Sequence, residues 1–151
     1  MNEKAARVVA GVVLLVSAIA LATSAYWLLI PLAYGFWARV LTGPTLSPLG
    51  RFAMNAAAPR LGEPRYVAGP PKRFAQGMGA AMTTAGAIAA VGFGQHTAGD
   101  VLLAAMIVAA GLESIFAYCL GCKVFALGMK AGLVPDSVCL ECADITRRSA
   151  A

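Results

Sequence analysis

The chain has 151 residues, 60% of them hydrophobic and 13% charged, with a net charge of +5 and a mean hydropathy of +0.75. A water-soluble domain carries about 25% charged residues, so this composition excludes an ordinary soluble domain and points to lipid as the solvent. The basic excess does not indicate nucleic acid, because no basic patch is interleaved with stacking aromatics and no nucleic-acid-binding motif accompanies it.

A hydrocarbon core of about 30 Å takes roughly 20 apolar residues per helix. From Val8 to Ala38 no residue is charged, a run too long for one simple span and short for two. The polar pair Thr23-Ser24, followed by Tyr26 and Trp27, argues for a turn there, since Trp and Tyr favour the membrane–water interface. Two short helices are therefore predicted, at about 5–22 and 25–42, which also puts Tyr34, Phe36 and Trp37 near the opposite interface. Because a second apolar segment follows at once, the N-terminal run is read as a span and not as a cleaved leader.

Residues 42–73 are rich in Pro, Gly and Arg. Within them "PLGRFAMNAAAPRL" reads equally well as an amphipathic interfacial helix, with Arg51 and Arg60 toward lipid phosphates, or as an irregular linker. Two further spans follow, at 74–94 and 100–121, joined by a tight turn in which Thr97 or Asp100 caps the fourth helix. His96 lies in that turn and reads as a loop residue. Gly77, Ala81, Ala85 and Ala89 form a small-residue face on the third span, suited to close helix packing.

The predicted fold is an all-α membrane protein of one domain, 1–151: four transmembrane helices in two hairpins, a 42–73 loop and a short helical tail at 122–151. No Lys or Arg occurs in the turns near 23–24 and 94–99. By the positive-inside rule the protein is a multi-pass inner-membrane protein with both termini, the 42–73 loop and the tail in the cytoplasm.

The four cysteines are Cys119, Cys122, Cys139 and Cys142, spaced C-x2-C-x16-C-x2-C. In a reducing cytosol two such pairs suggest metal binding or redox chemistry, and the spacing fits a four-thiolate template for zinc or iron. The intervening segment reads as a short helix closed by Gly132 and stopped by Pro135. Its apolar character is unlike a compact zinc ribbon. For redox exchange, Asp136 or Ser137 would open a tail helix with Cys139 in its first turn, where the dipole favours a thiolate. Cys119, at the end of the fourth span, would sit at a helix C-terminus, where the dipole disfavours one. That makes Cys139 the expected nucleophile and the Cys119–Cys122 pair its exchange partner. The bland alternative is that Cys119 and Cys122 are small packing residues.

Glu113 is the one acid well inside a span, with Tyr118, Thr83, Thr84 and Gln76 as candidate partners. On one continuous helix it would point away from Cys122. No phosphate-binding loop, serine-hydrolase elbow or zinc-protease motif occurs.

The segments "GPTLSPLGRF" (43–52), "PRLGEP" (59–64), "RFAQG" (73–77) and "FAYCLGCKVF" (116–125) give the chain a resemblance to an uncharacterised bacterial membrane family, domain of unknown function 4395. The tail "GLVPDSVCLECADI" (132–145) resembles an extension found in part of that family. The resemblance implies a small four-span protein, sometimes encoded near thioredoxin-like and sulfurtransferase proteins, hence thiol or sulfur handling. It makes Arg73, Gln76, Cys119 and Cys122 functional positions. Arg73 and Gln76, with Glu113, are then the candidate cofactor-binding residues.

Two functions are therefore expected: a cytoplasm-facing membrane thiol-redox or sulfur-relay protein, or a non-catalytic membrane subunit or anchor with a four-cysteine zinc or iron site. The expected partners are the bilayer and either a thioredoxin-like or sulfurtransferase protein or a larger membrane complex. A small carrier built on Glu113 ranks behind both.

Overall fold

The computed structural model describes residues 2–43 and 45–139, apart from the side chains of Asp136 and Cys139. Helix α1 spans Glu3–Thr23; Asn2 caps it, accepting a hydrogen bond from the Lys4 amide at 3.0 Å. It ends where Ser24 enters the left-handed region (φ 54). A short 3-10 turn, Tyr26–Leu28, leads into α2, Leu29–Thr42. Helix α3 starts at Pro48, with Ser47 as its cap accepting from the Gly50 amide, and spans Pro48–Phe52. It runs on through a π turn, Ala53–Ala57, and a 3-10 turn, Ala58–Leu61. The helical reading of 48–61 therefore holds over the irregular linker. Ala53 and Ala58 are buried, while Arg51, Phe52 and Arg60 face outward.

Helix α4 spans Gly69–Ala87 and continues in a π turn to Gly92. It begins five residues earlier than expected, because Pro70 and Pro71 occupy first-turn positions whose N–H groups have no helical partner anyway. Helix α5 spans His96–Phe116 and α6 spans Leu120–Lys130, so the fourth apolar segment is not one helix to residue 121. Gln95, not Thr97 or Asp100, precedes α5, and no side chain caps it. Gly132 (φ 73) closes α6 as expected; Leu133 donates back to the Gly128 carbonyl at 2.9 Å.

Helices α1, α4 with its π turn, and α5 are long and apolar enough to cross a membrane; α2 has only 14 residues. The surface is apolar: Leu15, Ile19, Trp27, Ile30, Val101, Val108 and Ile115 are all exposed. The interior holds Arg39, Lys72, Gln76, Thr83 and Ser17. That inversion of the soluble pattern suits a hydrocarbon surround.

The chain reverses near Ser24 and near Gly94, and the two turns meet at one end of the bundle. There Tyr26 donates to Asp100 at 2.8 Å and stacks on His96, ring centroids 4.8 Å apart. The main contacts nevertheless cross between the two halves, α1 lying against α5 and α2 against α4, with little between α1 and α2. The predicted small-residue face is one residue out of phase. Ala81 and Ala85 are exposed, and the buried stripe of α4 is Gln76, Gly79–Ala80, Thr83, Gly86 and Ala90. Gly79 packs so closely on the Phe36 ring that a Cβ there would overlap it.

Candidate functional site

The site begins where α5 stops. Ala117 adopts a left-handed conformation (φ 56), and the Tyr118 amide donates to the Leu112 carbonyl at 3.1 Å, closing the helix. Arg7 satisfies two more end carbonyls, Nε to Ser114 O at 3.0 Å and Nη2 to Ile115 O at 3.1 Å. The chain then restarts, with Cys119 extended (φ -91, ψ 107) as the N-cap of α6. This corrects the expectation that Cys119 lies at a helix C-terminus: the positive end of the α6 dipole faces its sulfur.

Cys119 is buried, Cys122 is half-buried and both are free thiols. Gly121 between them permits contact with α4; a Cβ there would lie 2.6 Å from the Ala75 Cα. The Cys119 thiol is held down to about 7, chiefly by the hydrogen bond from Cys122; the Lys72 ammonium acts in the same direction, against burial and Glu113. Cys122 is pushed up, first by that same hydrogen bond and then by burial. Of the two thiols, Cys119 is thus the one on which the anion is favoured.

Lys72 forms a buried ion pair with Glu113. Neither Tyr118, Thr83, Thr84 nor Gln76 is the partner of Glu113. The early start of α4 brings Lys72 inside, and the break after Phe116 lets Glu113 and Cys119 line the same cavity, of about 220 Å³, together with Gln76. The expectation that Glu113 points away from Cys122 assumed an unbroken helix; the thiol that shares its cavity is Cys119. On the surface side, Lys72, Tyr118, Cys119, Cys122 and Lys123 line an open cleft of about 330 Å³. Lys123 lies 5.3 Å above the Tyr118 ring.

Gln76 is buried and accepts from Arg39 Nε at 2.8 Å. Arg73 is exposed, donates to the Leu41 carbonyl at 3.4 Å, and lines a different cavity from the thiols. Arg39 and Lys72 were missed as site residues. The Pro-Pro helix start was a usable signal for Lys72; no sequence feature marks Arg39. Asp136–Cys139 forms a 3-10 turn against α4. The Cys139 side chain, Cys142 and the expected tail helix lie outside the described residues. Among the described residues no group of three or more His, Cys, Asp or Glu is placed to hold a metal.

An inverted polar interior and long apolar helices define a helical bundle suited to a membrane, with a dithiol at one end. The chain belongs to the family described as Domain of unknown function (DUF4395), which matches residues 1–130. Among curated proteins and solved structures no match is found.

Proposed function

We propose that the protein is a thiol–disulfide exchanger at the cytoplasmic face of the inner membrane, with Cys119 as nucleophile and Cys122 as resolving thiol. The observation that carries this reading is the placement of Cys119 at the N-cap of α6, at the edge of an open cleft that Lys72 and Cys122 also line. The Cys119 thiolate attacks a partner disulfide, forming a mixed disulfide and releasing one partner thiolate. Cys122 gives its proton to the released partner thiolate and attacks Cys119. The second partner thiolate leaves and a Cys119–Cys122 disulfide remains. The partner class is a thioredoxin-like or sulfurtransferase protein. Basic residues at the thiol end support a cytoplasmic location for that end and for both termini.

The test is trapping. Cys122→Ser is expected to accumulate a mixed disulfide through Cys119, and Cys119→Ser none. Equal, slow alkylation of Cys119 and Cys122 at neutral pH would overturn the assignment.

A second reading is favoured by the return of the chain after α6, which brings the Asp136–Cys139 turn back onto α4. In it Cys119, Cys122, Cys139 and Cys142 hold one zinc or iron ion. Metal analysis of protein purified under reducing conditions decides: about one ion per chain, lost on any Cys→Ser change, would select this reading.

A further inference from the structure

A second cavity, of about 260 Å³, lies among the start of α1, the end of α2, α3 and the start of α4. Its walls are mostly apolar, including Ala5, Val9, Gly50 and Met54, and Arg39 and Arg73 stand on it. Arg39 is 8% exposed. Its partners are neutral: Gln76 Oε1 accepts from Nε at 2.8 Å, Ser47 Oγ from Nη1 at 3.3 Å, and the Phe36 ring lies 4.7 Å away. Among the described residues no carboxylate hydrogen-bonds to either arginine; Glu113, paired with Lys72, reaches Arg39 only through space, and Glu3 pairs with Arg65. A buried cation without an anion in contact is unfavourable. Among the described residues the fold has thus assembled two guanidinium groups, no carboxylate in contact with them and an apolar chamber at the end of the bundle where its basic residues gather.

We propose that this cavity binds an anionic amphiphile, a phospholipid of net negative charge, with its phosphate on Arg39 and Arg73 and its apolar part along the Ala5–Val9 wall. The planar guanidinium fork matches a phosphate in two hydrogen bonds at once. The apolar walls exclude a purely hydrophilic ion as the natural occupant. No cysteine lines this cavity, although Ala6, Val9 and Gln76 also line the one that Cys119 reaches, and the proposal holds whether or not the thiols exchange disulfides.

The test uses the full chain, delipidated in neutral detergent, with phosphatidylglycerol, phosphatidylcholine and inorganic phosphate as probes, read by native mass spectrometry and thermal melting. Phosphatidylglycerol is expected to stay bound and raise the melting midpoint; phosphatidylcholine is not. Arg39→Lys and Arg73→Gln should each weaken phosphatidylglycerol binding by about tenfold or more, the loss of a charge-assisted hydrogen bond. Arg73 is exposed, so Arg73→Gln reads out the site even where Arg39→Lys fails to fold. Equal retention of the two lipids, or wild-type affinity in Arg73→Gln, would overturn the proposal. Full stabilisation by inorganic phosphate alone would overturn the amphiphile and leave a small-anion site.

Discussion

At the residue scale, the Cys119 thiolate is set by hydrogen bonding more than by charge. Its alkylation rate should therefore inflect near pH 7. Cys122→Ser retains a hydroxyl donor and should keep that inflection low. Cys122→Ala removes the donor and should move it toward the ordinary 9.0. Stability has a definite sign here. A group with a lowered folded-state pKa adds stability that is complete above its unfolded value and disappears as pH falls through the folded one. Thermal melts of wild type should rise relative to Cys119→Ser between pH 7 and pH 9, and converge below pH 7. The Lys72–Glu113 pair gives a second expectation. Glu113→Gln alone strands a buried ammonium and should destabilise by about 3–5 kcal/mol, whereas Lys72→Met with Glu113→Leu should recover most of that loss. Chemical denaturation in detergent measures both. Sequence alone picked out Cys119, Cys122 and Glu113, because thiols and an acid are rare in such an apolar chain; Gln76 was marked by the family resemblance. Neither picked out Lys72 or Arg39. Cations beside a span are read as orientation signals, and whether they turn inward depends on helix phase.

At the element scale, the decisive feature is the interruption between α5 and α6. The residue at the stop, Ala117, belongs to the best helix-forming type, and no Gly or Pro lies between Leu112 and Leu120 to mark the end. The stop is tertiary, made by Arg7 at the last carbonyls and by Gly121 against Ala75. Ala117→Gly relieves a left-handed alanine and should stabilise by about 0.5–1 kcal/mol. Gly121→Ala should destabilise by about 1–3 kcal/mol through overpacking. It should also slow Cys119 alkylation, since α6 must move off α4. Reactivity unchanged in Gly121→Ala would mean that α6 does not hold the sulfur. The phase error on α4 has a similar origin. Small residues occur on both of its faces, so spacing finds a stripe but cannot say which one is covered.

At the scale of the whole molecule, hydropathy and the two cation-free turns were enough to find the long helices and the end where the thiols lie. An impermeant maleimide should label Cys119 and Cys122 only after the membrane of intact cells is permeabilised. Labelling from outside would invert the topology. Which helix lies on which was not legible, because pairing is set by surface shape and not by order along the chain. That pairing governs assembly. The face of α1 finds its partner only when α5 has been made, and neighbouring α1 and α2 offer each other little. An early portion leaving the ribosome would stay unfinished in the bilayer and open to proteolysis. Fragments divided in the 62–68 connection should each be degraded when expressed alone and survive when produced together.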